Sequence, residues 1–308
     1  MANSTSDIAV VGHFAVDTLN LPGRSKPVVI MGGAAAYVSL AAKRLGASVL
    51  VVSKVGEDFP EAYMWWLREE GIDLSGVTKI AGEKTTRYEL TYNEDFSSRT
   101  LKLLSKASAI AVADVPSCLR AKATHIGPIA GEVPLEVVER LRGCSEVLAL
   151  DPQGMSRCFD ENGAVSCGVT VDPQILGLIN IYKSSVEEIR AVSGQSDLNA
   201  AIKAVHGMGP ETVIVTMGEK GSVLSVQGTH YPISACASEK VVDPTGAGDV
   251  FIGAFLTEYI SQKDSLWCAC VGSAAASLVV EGVGPTFFGE KEAVYRRASL
   301  IYEKEIKQ

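Results

Sequence analysis

Apolar residues along this chain follow two rhythms. Solid runs of strand length, such as Asp7 to Gly12 (DIAVVG) and Ala47 to Lys54 (ASVLVVSK), alternate with longer stretches whose apolar positions recur at helical spacing. Gly32 to Gly46 (GGAAAYVSLAAKRLG) predicts a glycine turn, a helix and a stop at Gly46. Glu57 to Gly71 predicts a second helix, with Asp58 as its cap, Pro60 early and Gly71 at its end. Further along, Glu146 to Leu150 and Thr212 to Thr216 read as short buried strands, with helices over Glu187 to Val192 and Leu198 to Met208 between them. Strands that are apolar throughout and separated by helices predict an α/β fold, with a central, mostly parallel sheet covered by helices on both faces.

One segment breaks the alternation. Lys84 to Leu104 (KTTRYELTYNEDFSSRTLKLL) is rich in Thr, Tyr and alternating polar residues, the pattern of a hairpin turning at NEDFSS. A two-stranded ribbon is marginal alone and must lie on something. With Ala15 to Ile30 it is expected to form a small β-sheet lid, built from about residues 14–31 and 83–105 and inserted in a single α/β domain spanning 1–308.

Composition narrows the function classes. Of 308 residues, 47% are hydrophobic and 21% charged, which is enough for a sizeable core. The net charge of -8, with no block of Lys and Arg, excludes the usual footprint of a nucleic-acid binder. No run of 18 uncharged apolar residues predicts a membrane span, and the start MANSTSDIAVVGHF carries neither a basic segment nor an apolar core of a leader. The seven cysteines are scattered without a C-x-x-C pair, so neither a zinc site nor a disulfide framework is expected, and Cys268 and Cys270 read as small core residues. A reducing, cytoplasmic setting is the expectation.

The candidate chemistry lies in VVDPTGAGDVFIGAF, Val241 to Phe255. An apolar strand is expected to end near Asp243, because Pro244 has no N–H for a ladder. Gly246 and Gly248 let backbone approach a ligand, and the helix that follows offers unpaired N–H groups and the positive end of its dipole to an anion. Asp249 in the first turn can take a proton from a hydroxyl attacking a phosphoryl group. The plainer reading is a tight glycine turn and a helix-start acid.

With these residues in order, the chain resembles the ribokinase-like, or phosphofructokinase-B type, carbohydrate and nucleoside kinases. Their D-x-x-G-A-G-D element is similar to Asp243, Gly246, Ala247, Gly248 and Asp249; the early GG…LG element to Gly32-Gly33 and Leu45-Gly46; VGxD to Val55, Gly56 and Asp58; and T-x-G-x-x-G to Thr216, Gly218 and Gly221. The resemblance implies a ribokinase-like fold with a β lid and ATP as co-substrate with Mg²⁺. It implies Asp249 as general base, with Gly246, Ala247 and Gly248 as the anion hole for the γ-phosphoryl group. It places Asp17, in GHFAVD, on substrate hydroxyls beside Gly32, Gly33 and Tyr37. It places Ser185, Glu188, Thr216, Gly218, Gly221 and Asp243 on the nucleotide side, with Glu188 and Asp243 near the metal, directly or through water. Gly272 to Ser277 then fall near the adenine and a monovalent cation.

Two positions depart from the family. Ser185 stands where N-x-x-E has Asn, and Tyr37 where GGxxxN has Asn, which implies a different substrate contact from that of ribokinase. Asp151 and Gln153, in DPQG after a strand, are expected to face the pocket, where ligands bind at the carboxyl ends of strands. Arg87 in the lid is a candidate substrate or phosphate contact, and Lys183 and Arg157 are weighed as phosphate contacts against solvated residues. His13 reads as a packed or hydrogen-bonded residue.

TTRYELTY, LKLLSKASAI and DPQGMSR are similar to segments of archaeal myo-inositol kinases, so a sugar or polyol acceptor, myo-inositol by name, ranks first. A nucleoside kinase is the alternative, kept open by Tyr37, Tyr88 and Tyr92. A non-catalytic sugar sensor is the reading from another class, and a dinucleotide-binding oxidoreductase is weak because no G-x-G-x-x-G follows the first strand. A lid edge strand offers itself to a second subunit, as in a homodimer.

Overall fold

The solid apolar runs become interior strands of a nine-stranded sheet. The protein is described by a computed structural model over residues 5–168, 171–238 and 240–307. The first half runs β1 (Thr5–Val11), β2 (Ala15–Asn20), β3 (Val28–Gly32), α1 (Ala34–Arg44), β4 (Val49–Gly56), α2 (Glu61–Glu69), β5 (Asp73–Ile80), β6 (Thr86–Tyr92), β7 (Arg99–Ser105), β8 (Arg120–Ile126), α3 (Leu135–Arg142) and β9 (Ser145–Leu150). The second half runs β10 (Arg157–Phe159), β11 (Val165–Cys167), α4 (Pro173–Leu176), β12 (Ile181–Ser185), α5 (Val186–Ser193), α6 (Leu198–Gly207), β13 (Thr212–Thr216), β14 (Ser222–Val226), β15 (Thr229–Ile233), α7 (Ala247–Tyr259), α8 (Ser265–Val279) and α9 (Lys291–Glu305).

The sheet order is β15-β14-β13-β12-β9-β8-β1-β4-β5. From β13 to β5 every pairing is parallel, and β14 and β15 add antiparallel. Alternation along β1 explains why a central strand must be apolar throughout. Ile8 and Val10 enter the core under α1, α7 and α8, while Ala9 and Val11 enter the core under α3, α5 and α6. Cys268 and Cys270 are buried within α8, as expected of small core residues. Among the described residues no helix is long and apolar enough to cross a membrane.

A separate four-stranded sheet, β3-β2-β6-β7, carries a third apolar cluster that includes Leu19, Ile30, Tyr88 and Leu90. Its β7 edge is covered in part. The β10–β11 hairpin reaches it through a bridge from Lys102 to Ala164, and Leu103 donates its N–H to the Gly163 carbonyl at 2.7 Å. Gly163 has φ +80, and a Cβ there would stand 2.1 Å from the Leu103 oxygen, so the contact requires glycine.

Two local expectations are corrected. Asp58 does not cap α2; Pro60 holds that position. The Asp58 carboxylate instead accepts the Thr85 N–H at 2.7 Å and pairs with Arg87 at 3.2 Å, tying the entry of β6 to the main body. Among the described residues no strand runs into Asp243 either. The N–H groups of Val242 and Asp243 both go to the Val280 carbonyl at the end of α8, at 2.7 and 3.2 Å, which satisfies them without a ladder.

Candidate active site

Asp243 shapes the turn that opens α7. One carboxylate oxygen accepts the Thr245 N–H at 2.9 Å and the other the Gly284 N–H at 3.0 Å. Gly246 then takes the left-handed conformation (φ 77) as N-cap, and no side chain caps the helix. A Cβ on Gly246 would lie 2.3 Å from the Tyr37 ring, so the turn lies flat on that ring. A Cβ on Gly248 would meet the Lys183 ammonium at 2.6 Å, so that cation lies close against the turn. The helix therefore presents a bare amino end with a fixed cation beside it.

Asp249, two residues into α7, faces the cleft between the two sheets. Gln153 Nε2 donates to its Oδ1 at 3.1 Å, and Gln153 Oε1 accepts from Arg157 Nη2 at 2.9 Å. Burial first, and the Asp151 charge second, raise the Asp249 pKa to about 6, opposed by Lys183, Arg157 and Arg99. Asp151 itself is buried and paired with Lys183 at 2.6 Å. Burial works against the Lys183 charge, but Asp151, Asp249 and Glu188 outweigh it and raise its pKa.

Asp17, on β2, is only 5% exposed, and its Oδ1 has no partner. Burial lifts it to about 7 against the pull of Arg99 and Arg157. Gly32 opposite makes room for it, because a Cβ there would fall 1.8 Å from Asp17 Oδ2. Gly33 caps α1 at φ 87, against the His13 carbonyl. The Tyr37 hydroxyl is buried and also lacks a partner. Two orphaned buried polar groups on one cleft mark a place where a ligand supplies the missing hydrogen bonds. The remaining wall mixes Tyr88, Leu90, Leu101 and Ile129 with the polar Arg99, Gln153, Arg157 and Thr245, and the free space is about 50 Å³.

Arg99 is a cleft residue that the sequence reading missed. Its Nη1 donates to the Tyr92 hydroxyl at 2.9 Å, and that hydroxyl is 2.8 Å from Thr245 Oγ1 on the α7 turn. Period-two alternation could have found it, since Arg99 shares a face with Leu101 and Leu103. The same alternation corrects Arg87, which lies opposite the inward Tyr88, Leu90 and Tyr92, lines no part of the cleft, and pairs with Asp58. Glu132 was missed too. Buried, it accepts N–H groups from His13, Ile129 and Ala130 and so fixes the cleft floor. His13 is hydrogen-bonded to Thr86 and Ser108, as a packed residue should be.

The nucleotide-side expectations meet backbone instead. Ser185 Oγ accepts the Glu188 N–H at 3.2 Å, while Glu188 Oε2 accepts the Ser185 N–H at 2.8 Å, a reciprocal cap on α5. Thr216 Oγ1 bonds the Ser184 carbonyl at 3.3 Å. Gly218 and Gly221 turn β13 into β14, and a Cβ on Gly221 would lie 2.1 Å from the Ile233 oxygen. Gly272 in α8 packs on Phe251. Among the described residues no three His, Cys, Asp or Glu side chains gather to hold a metal. Each oxygen of Asp243 already accepts one backbone N–H, and Glu188 Oε2 accepts another, so a Mg²⁺ ion here would share these carboxylates with the backbone or reach them through water. A larger hollow of 590 Å³ lies before β13, but the His206 ring on its wall is already bonded at both nitrogens.

Comparison with known proteins bears on the family and the fold. The model of the pfkB family carbohydrate kinases matches residues 6–292. The chain is 32% identical over 281 residues to a cytidine kinase of Thermococcus kodakarensis, covering 90% of this chain and 97% of that one. It is 29% identical over 314 residues to an inositol 3-kinase of Oryza sativa subsp. japonica, covering 97% of this chain and 74% of the relative. Among solved structures, the nucleoside kinase of Methanocaldococcus jannaschii superposes with a TM-score of 0.74 at 22% identity, over 96% and 98% of the two chains. The ribokinase of Arabidopsis thaliana, solved with ribose and ATP, gives 0.77 at 21%, over 96% and 99%. At such identities the structural likeness speaks for the fold, a ribokinase-like α/β architecture with a small separate sheet.

Proposed function

The chain belongs to the pfkB family of carbohydrate kinases and is a phosphotransferase acting on a hydroxyl group, and from that premise we infer that its acceptor is a nucleoside, phosphorylated from ATP. The observation that carries the choice is the 32% identity to a cytidine kinase over 281 residues, covering 90% of this chain and 97% of that one. A nucleoside's sugar offers hydroxyls to Asp17 and Asp249, and Leu90, Leu101 and Ile129 give its base an apolar contact in the same cleft.

myo-Inositol is the second reading. Asp17, Arg99 and Gln153 supply polar groups around the cleft, and an inositol 3-kinase is among the relatives.

In the mechanism, the acceptor hydroxyl lies between Asp17 and Asp249. Asp249 accepts its proton as the oxygen attacks the γ-phosphorus in line and the bond to the β-phosphate oxygen breaks. The Gly246–Gly248 turn offers amide N–H groups, and Lys183 a positive charge, to the transferring group. The small sheet, lying over the acceptor, excludes water that would otherwise take the phosphoryl group. No step is assigned to residues holding a metal ion.

The test is a matrix of donors (ATP, ADP, pyrophosphate) against acceptors (cytidine, adenosine, myo-inositol, ribose, fructose), following phosphorylated product. ATP with cytidine or adenosine is expected to give the highest kcat/KM. Turnover confined to myo-inositol would overturn the nucleoside assignment, and turnover with pyrophosphate alone would overturn the donor.

A further inference from the structure

The first turn of α7 places Asp249 in the cleft but leaves its carboxylate free to rotate. What fixes it comes from another part of the chain. Gln153 Nε2 donates to Oδ1 of Asp249 at 3.1 Å. The other end of the same amide accepts from Arg157 Nη2 at 2.9 Å. Arg157 is fastened in turn, with Nη1 on the Ile129 carbonyl at 2.7 Å and its guanidinium 5.5 Å from the centre of the Tyr88 ring. Each end of the Gln153 amide is therefore held by a protein group, which fixes its orientation toward Asp249.

Arg157 opens β10, and the β10–β11 hairpin is bonded to the small sheet where Leu103 meets Gly163. The hold on Asp249 is thus built on the element that touches the lid. We propose that Gln153, aligned by Arg157, is the positioning residue of the phosphoryl transfer, holding Oδ1 of Asp249 so that Oδ2 is turned to the acceptor hydroxyl. The proposal rests on Asp249 being the base.

A donated N–H also favours the ionised carboxylate, so its loss moves the protonation of Asp249 to higher pH. The charged and titratable groups around Asp249 are Asp151 just after β9, Lys183 within β12, Arg157 on β10, Arg99 on β7, Asp17 on β2 and Tyr37 on α1. Of these, Arg157 loses one bond when Gln153 is changed, while its Nη1 stays on the Ile129 carbonyl and its charge stays beside Asp249.

The experiment compares kcat and KM against pH for the full-length enzyme and for Gln153→Met, Gln153→Asn and Asp249→Asn, on whichever acceptor turns over best. Gln153→Met keeps length without a donor, and Gln153→Asn keeps an amide too short to span the gap, so failure of one to fold leaves the other. Both are expected to lower kcat about tenfold with little change in KM, and to move the acid limb of kcat up by about one pH unit. An unmoved acid limb with kcat within about twofold of wild type would overturn the proposal, as would a lowered melting temperature with the limb unmoved. Asp249→Asn separates the two readings. Wild-type turnover in that variant removes the base itself, whereas its inactivity beside an unmoved limb in the Gln153 variants removes only the positioning role.

Discussion

The match to a kinase family takes in both sides of the α7 turn, and the structure treats them differently. On the acceptor side, Asp17, Tyr37, Gln153 and Asp249 converge on one cleft, and two of them keep polar atoms without a partner. On the donor side, Ser185, Glu188 and Asp243 each spend side-chain oxygens on backbone N–H groups. The contrast teaches how to weigh a matched residue. A buried polar group left unsatisfied points to a ligand, whereas a satisfied one already has a structural task.

Substitutions can break this contrast or sharpen it. The largest effect is expected at Asp249. Asp249→Asn should lower kcat at least about a hundredfold while leaving acceptor binding nearly intact, as measured by calorimetry beside single-turnover kinetics. Next comes Lys183→Met, which leaves Asp151 charged and buried without its partner. A loss of about 3 kcal/mol or more in urea unfolding is expected there, and a loss near zero would mean that the pair bears little on stability.

Asp17 gives a smaller, pH-dependent effect. Its folded pKa, about 7, lies above the usual carboxylate value near 4. Between those values the native state holds a proton that the unfolded chain has released, so this group's contribution to stability falls as pH rises from about 4 to about 7. Asp17→Asn should abolish that decline and be more stable than wild type at pH 8, while losing acceptor affinity. Thermal melts across pH would show it, and parallel curves for the two proteins would refute it. The smallest effect belongs to Ser185→Ala, expected to cost about 1 kcal/mol of stability through its lost cap with the KM for ATP unchanged. A large rise in that KM would return Ser185 to the donor site.

Legibility followed the range of the interactions involved. The strands of the main sheet could be read because burial on both faces requires unbroken apolar runs, and the hairpin at 86–105 because its turn and alternation are local. The glycine turn before α7 was legible for the same reason. Asp58 was misread because its true partners, Thr85 and Arg87, are more than twenty-five positions away. The loop before Asp243 was misread because its N–H groups find Val280, which no local pattern announces. Gln153 was rightly placed at the cleft, but its bond to Asp249 crosses 96 positions and belongs to tertiary structure alone. Arg87 and Arg99 show a finer limit. The strands carrying them were recognised, and the inward face was missed by a single residue.

The place of β1 in the sheet also bears on how the chain is made. Its Val11 pairs with Val52 on one side and with Ile126 on the other. An emerging chain can join β1 to β4 early, yet the second edge of the same strand stays open until residue 126 has been made. At a synthesis rate of ~5–20 residues per second, that interval is roughly 4–15 s. For that time a strand whose last four residues, Ile8 to Val11, are all apolar presents an unpaired edge, an arrangement prone to pairing with another nascent chain. A strand in the interior of the finished sheet is thus one that needs shelter during synthesis.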